Sequence, residues 1–251
     1  RRPSIVDRLQ RRLVSASDGV IAVSQHVASN VVNRHSLQNK SVGVIPNSVD
    51  VTRFRPDIDG SDLKREWRVG SSPMVLYLGR WDHFKGLTYL LEAFEEVVRI
   101  VPDAKLVLVG WGVLRETLMG MTRRLGLSSS VRLVERLPEE HVPKAYAASD
   151  VFVYPSLLEG FGIALLEAMA TARPCVGTAA GAIPEIVSNG ETGVLVPPRD
   201  AHGLSEAIST MLSDSSLARR FGLAGRRRVE LEFTPDIMAR KTLNFYKKLL
   251  D

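Results

Sequence analysis

The feature that most constrains this sequence is an alternation between residues 74 and 213. Short β-branched and aliphatic runs are each followed by a longer stretch in which apolar residues recur every three or four positions. The short runs fall at 75–78, 106–109, 131–134, 151–154, 175–177 and 194–196. Being apolar almost throughout, they have the character of strands buried on both faces, and strands of that kind lie parallel with helical crossovers between them. The expectation is an α/β fold whose main body is a complete Rossmann-like domain on a parallel six-stranded sheet.

Helices are expected over 86–100, 113–125, 139–148, 163–171, 183–188 and 201–213. In the first of these, Leu87, Leu90, Leu91, Phe94 and Val97 form one apolar stripe to lay on the sheet. Two more follow the last strand, over 215–231 and 235–250, with Pro235 at a helix start where its missing N–H costs nothing. Residues 1–45 repeat the theme on a smaller scale: helix, strand 19–23, helix, strand 42–45. Two strands are too few for a doubly wound domain of their own. This segment is therefore expected to be the end of a larger domain, and the chain to begin inside a longer product. Pro46, Asn47, Ser48 and the polar tract to Gly60 have the composition of an interdomain connection. The expected organisation is a remnant plus linker over 1–58, a Rossmann-like domain over 59–233, and a terminal helix over 234–251 that packs toward the first segment.

The chain has 251 residues, 45% hydrophobic and 24% charged, which is enough to bury a sizeable core. Its formal charge of +5 suits phosphate-bearing ligands or peripheral contact with an anionic membrane but selects neither, and nothing in it indicates nucleic-acid binding. Cys175 is the single cysteine, so intramolecular disulfides and cysteine metal clusters are excluded, in keeping with a reducing cytoplasm. It reads as a small buried strand residue. No segment approaches the ~20 apolar residues of a membrane span. His26, His35, His83, His141 and His202 show no metal-ligand spacing, no Asp-x-Asp pair accompanies the expected nucleotide site, and no Gly-x-Ser-x-Gly elbow supports a serine hydrolase. Asp150 reads as a turn residue ahead of a strand.

The segment richest in chemistry runs from Glu159 to Glu167: Glu-Gly-Phe-Gly-Ile-Ala-Leu-Leu-Glu. It follows an expected strand and opens a helix, which is where doubly wound sheets bind ligands. Gly160 and Gly162 allow close approach of the backbone, and the free amides through Phe161 and Ile163 are donors for an anion such as phosphate. Glu159 precedes the helix and Glu167 lies inside it, in an almost wholly apolar run. Each carboxylate can accept the paired hydroxyls of a sugar or ribose. Arg80 and Lys85, in the loop after the first strand of the main domain, are placed to flank a diphosphate. Gly110, in the turn after the next strand, is a further point of close approach, and Arg136 and Leu137 after the third are candidates to meet a base. The Arg226-Arg227-Arg228 run reads as a solvated helix face or a contact for anionic lipid.

These motifs closely resemble those of the retaining glycosyltransferases of family four, which have the two-domain GT-B architecture. The matching residues are Val44-Ile45-Pro46-Asn47-Ser48-Val49-Asp50 with Arg53-Phe54, Tyr77-Leu78-Gly79-Arg80, Lys85-Gly86, Leu108-Val109-Gly110, and Glu159 through Glu167. Ala172 to Val176, Gly181 to Val187 and Gly193 to Pro198 follow in family order. Ser48 stands where the family often has Gly, and Trp81-Asp82 is a variable insert before the lysine. The resemblance implies that Arg80 and Lys85 hold the donor diphosphate, that Glu159 contacts the transferred sugar and that Glu167 binds the ribose, with Arg80, Lys85 and Glu159 as the catalytic set and no metal or other cofactor. The implied donor is a UDP-, GDP- or ADP-sugar, and the implied acceptor is a hydroxyl of a glycan, lipid or small molecule. The acceptor site would lie largely on the missing N-terminal domain. The alternative is a catalytically inactive donor-binding subunit or fragment that works beside a separate acceptor-binding chain. A dinucleotide-binding Rossmann protein lacks its required Gly-x-Gly-x-x-Gly opening.

Overall fold

The computed structural model describes residues 9, 12–14, 16–35 and 40–250. The helix expected ahead of the first strand falls largely outside them, as does the side chain of His35. The first described unit is a parallel pair, β1 (Gly19–Ala22) and β2 (Ser41–Val44), joined by α1 (Gln25–His35) and aligned with Gly19 opposite Ser41. After the linker, at the start of the expected main domain, comes a short helix, α2 (Ser61–Glu66), that the sequence pattern did not reveal. Six residues are too few to display a helical period, and Leu63 is its one buried side chain.

The main sheet is six-stranded and wholly parallel: β3 (Met74–Leu78), β4 (Lys105–Val109), β5 (Val131–Val134), β6 (Val151–Tyr154), β7 (Cys175–Thr178) and β8 (Gly193–Val196). Their spatial order is β5-β4-β3-β6-β7-β8. The order reverses between β3 and β6, which makes a crevice at the carboxyl ends of those two strands. Every residue of β6 and β7 is buried, and four of the five in β3, so the near-continuous apolar runs have their physical cause in cover on both faces.

The crossover helices are α3 (Leu87–Ile100), α4 (Arg115–Arg124), α5 (Val142–Ala148), α6 (Ile163–Ala170) and α7 (Ile183–Ile186), followed by α8 (Ala201–Ser213), α9 (Ser215–Glu232) and α10 (Pro235–Leu250). Helix α3 buries Leu87, Leu90, Leu91, Phe94 and Val97, the stripe read from the sequence, and adds Ala93. The stretch expected as one helix over 139–148 divides into a 3-10 turn at Glu139–His141 and α5, with Pro143 in the first turn of the latter. Asp214 separates α8 from α9 and caps the second by accepting the N–H of Leu217 at 2.9 Å. Asp150 is more than a turn residue. Its Oδ2 accepts the N–H of Met74 at 2.7 Å and pairs with Lys64 at 3.2 Å, tying the start of β6 to the start of β3 and to α2.

Helix α10 returns to the small sheet. A Cβ on Gly43 would lie 2.7 Å from the Phe245 ring, and one on Gly19 would lie 3.0 Å from Leu249. The two units also meet at α1. Both Glu185 oxygens cap its free amides, taking the N–H of Gln25 at 2.7 Å and of His26 at 2.8 Å, while the Ser24 hydroxyl donates to the Gly160 carbonyl at 2.8 Å. Cys175 is fully buried as a strand residue, and burial pushes its thiol well above the ordinary range.

Candidate donor-binding site

The loops after β3, β4 and β5 surround an open cavity of about 660 Å³ at the carboxyl edge of the sheet, lined by Gly79, Arg80, Gly110, Trp111, Arg136 and Leu137 among others. Its floor is held by backbone. The N–H of Trp81 donates to the Trp111 carbonyl at 2.7 Å, and the N–H of Leu114 donates to the Trp81 carbonyl at 3.0 Å. Gly110 has φ +147°, and a Cβ there would sit 1.9 Å from the Gly79 carbonyl oxygen, so only glycine lets the two loops approach this closely. Trp81 is fully buried. The Trp81-Asp82 pair, read from sequence as a variable insert, is thus structural: Trp81 fastens the β3 loop to the β4 loop, and Asp82 caps the 3-10 turn His83–Lys85 through the N–H of Phe84 at 3.0 Å.

Arg80 and Lys85 diverge. Arg80 extends outward, with its side chain 67% exposed and paired to Asp82 at 2.7 Å. Lys85 turns inward, its Nζ 2.6 Å from Glu159 Oε2 and 3.0 Å from the Tyr154 hydroxyl, and 5.1 Å from the centre of the Tyr154 ring. Tyr154, the last residue of β6, in turn donates to Glu159 Oε2 at 2.7 Å. Its phenol is pushed far above the ordinary range, first by burial and then by the Glu159 charge, so it stays a neutral donor. Lys85 and Glu159 are only 18% and 14% exposed, so they form a shielded ion pair rather than a solvated one. Nothing in the sequence marked Tyr154 except its position at a strand end.

The chain from Glu159 to Ile163 is set by its neighbours. The Ala182 N–H donates to the Glu159 carbonyl at 3.0 Å, and a Cβ on Gly181 (φ +56°) would fall 2.0 Å from that same oxygen. Gly162, at φ +111°, forms the N-cap of α6 and leaves the first helical amides facing the crevice. Phe161 buries its ring edge-to-face on Phe233, 6.3 Å between centroids, so it anchors the turn and only its backbone faces the site. Ile163 is exposed.

Glu167 occupies a separate position on α6. Its Oε2 accepts the hydroxyl of Tyr146, a fully buried α5 residue, at 2.7 Å. Burial raises its pKa, opposed by the Tyr146 hydrogen bond and then by the charge of Arg53. Arg53 itself is bound to Glu139 at 2.9 Å. The two glutamates of the motif are therefore held by different tyrosines at different stations. No group of three or more His, Cys, Asp or Glu suited to a metal ion occurs among the described residues, and no helix among them is long and apolar enough to cross a membrane.

Known proteins share this fold. The family model described as glycosyl transferases group 1 matches residues 61–228, and that of glycosyltransferase family 4 matches residues 1–53. The GDP-mannose-dependent alpha-(1-6)-phosphatidylinositol monomannoside mannosyltransferase of Mycolicibacterium smegmatis is 34% identical over 86% of this chain and 58% of its own length. The structure of sucrose-phosphate synthase from Thermosynechococcus elongatus superposes with a TM-score of 0.85 and 29% identity, covering 97% of this chain and 61% of that one. Anabaena HepE, solved in complex with UDP and glucose, shares the fold with a TM-score of 0.87 at 23% identity, covering 96% of this chain and 66% of that one. This chain thus spans about three fifths of the length of the proteins it matches. With the fold and these likenesses in agreement, the chain belongs to the glycosyl transferases group 1 family and has the GT-B type of α/β architecture.

Proposed function

We propose that this chain forms the donor-binding part of a retaining glycosyltransferase, which moves a sugar from a nucleoside diphosphate to an acceptor hydroxyl. The observation that carries the reading is the Lys85–Tyr154–Glu159 cluster beside the free amides of α6, at the switch point of the sheet. In this reading the 660 Å³ cavity takes the nucleoside, with Arg136 and Leu137 beside the base. Glu167 accepts the ribose hydroxyls. The diphosphate lies between Arg80, Lys85 and the α6 amides, and Glu159 accepts hydroxyls of the sugar.

The chemistry follows from where charge builds. As the bond from the anomeric carbon to the phosphate oxygen breaks, negative charge grows on the departing diphosphate, and preorganised donors stabilise it most where water is excluded. Lys85 is suited to this because its ammonium is already fixed and shielded. The acceptor hydroxyl attacks on the face the phosphate leaves and passes its proton to a departing phosphate oxygen, so configuration is retained without a protein nucleophile or a metal ion. Glu159 is then an anchor, since its Oε2 is already held by the Lys85 ammonium and the Tyr154 hydroxyl.

Titration calorimetry with UDP-, GDP- and ADP-sugars tests the donor assignment. The mannosyltransferase relative makes GDP-mannose one arm and a lipid-linked acceptor one candidate, and HepE, also solved in complex with UDP-glucose, makes UDP-glucose another arm. Binding of at least one donor is expected, with loss in an Arg80→Ala, Lys85→Ala double variant. Undiminished binding and donor turnover in that variant would refute the mechanism.

A further inference from the structure

At the opposite pole of the sheet, the amino ends of β3, β6 and β7 open onto a second cavity of about 540 Å³. Its wall includes Lys64 of α2, Asp150 ahead of β6, Arg173 in the turn before β7, and Ser215 and Arg219 at the start of α9. That turn is constrained: Ala172 adopts φ +54°, and Gly222 of α9 packs so closely that a Cβ would lie 2.1 Å from the Ala172 carbonyl. Arg173 is therefore presented to the cavity by a backbone with little freedom.

The charges lining this cavity do not balance. Lys64, Arg173 and Arg219 face one carboxylate, Asp150, which is already engaged by Lys64 at 3.2 Å and by the Met74 N–H. Arg173 spends one N–H on the Ser149 carbonyl at 3.0 Å, while its Nε is buried with no partner. Burial also lowers its pKa, with only the Asp150 charge opposing. Burying a guanidinium away from water without an adjacent counter-charge is costly, and an anion in the cavity would remove that cost. Two positive charges in excess match a phosphomonoester, which carries about −1.5 to −2 at neutral pH, better than a single carboxylate.

We propose that this cavity binds a small phosphoryl-bearing molecule of about monosaccharide-phosphate size. The Arg173 guanidinium and Arg219 hold the phosphoryl oxygens, and Asp150 with the Ser215 hydroxyl meets hydroxyl groups of the remainder. The volume lies within the ~300–1,000 Å³ typical of small-molecule sites. Since the opening is at the amino ends of the strands, its occupant is not the sugar donor, and the proposal stands whether or not the donor reading does.

The test is titration calorimetry of the 251-residue chain with mannose 6-phosphate, inorganic phosphate and mannose. The two phosphates are expected to bind and mannose alone not to. An Arg173→Gln variant should weaken mannose 6-phosphate at least about tenfold through loss of the charged fork. Arg219→Ser, at an exposed position that does not threaten folding, should weaken it by about threefold or more. Arg80→Ala and saturating UDP should leave the affinity unchanged. Three results would overturn the proposal: no heat from either phosphate up to about 20 mM, affinity unchanged in Arg219→Ser, or loss of binding in Arg80→Ala or on addition of UDP, which would assign the phosphate to the other cleft.

Discussion

A double-mutant cycle on Lys85 and Glu159 probes the centre of the site. Their 2.6 Å separation corresponds to a Coulomb attraction of about 6 kcal/mol at an effective dielectric of ~20. Desolvation cancels much of it, because both side chains are more than four-fifths withdrawn from water. Coupling between residues in one such network is commonly ~0.5–3 kcal/mol, and the shielding here places this pair near ~2. Lys85→Met leaves Glu159 with only the hydroxyls of Tyr154 and Ser156, and Glu159→Gln leaves Lys85 with the Tyr154 hydroxyl. Each single variant should thus lose about 2 kcal/mol, while the double variant loses about the same rather than their sum. Urea unfolding of the four proteins measures the coupling from midpoints and slopes. Additive losses, with coupling below about 0.5 kcal/mol, would show that the ion pair is not preorganised and would remove the basis for assigning Lys85 its catalytic task.

Gly110→Ala should cost about 2 kcal/mol or more and weaken nucleotide binding, because its Cβ would meet the Gly79 carbonyl at 1.9 Å; thermal unfolding and calorimetry check both. Ala172→Gly should raise stability by up to about 1 kcal/mol, measured by urea unfolding, since the relief of a left-handed alanine at φ +54° outweighs the opposing gain of chain entropy in the unfolded state. Glu167 has a pKa raised by burial, so its protonated form persists above the ordinary carboxylate value of 4.5. Nucleotide affinity should fall as pH drops through that raised value, with the step absent in Glu167→Gln. The same shift has a stability sign: Glu167 favours the folded state most below its unfolded pKa, and that contribution is lost as pH rises through the folded one. Glu185→Ala uncaps the amides of Gln25 and His26 and should lower stability by about 1 kcal/mol, measured by urea unfolding, with faster amide exchange at those two residues.

Much of this was legible in the sequence, for definite reasons. Strands such as 151–154 announce themselves because a parallel sheet with both faces covered admits only apolar residues there. Helix α3 did so through the five-residue stripe from Leu87 to Val97. The loop between Glu159 and Glu167 stood out because glycines and buried acids have few other uses beside a strand end. What stayed hidden depended on residues distant in sequence. Tyr154 reads as one more strand residue, yet it meets both Lys85 and Glu159. Glu185 reads as a helix-turn acid, yet it caps a helix 159 positions away. Arg80 and Lys85 read as a matched pair of cations, but the 3-10 turn between them sends one to solvent and the other into an ion pair. Local periodicity and turn chemistry thus determined which elements form and at which strand ends a site would lie. Which side chains share a partner, and which charges remain unbalanced at the opposite pole, was decided only by tertiary packing, because those contacts are set by the order β5-β4-β3-β6-β7-β8 rather than by neighbours along the chain.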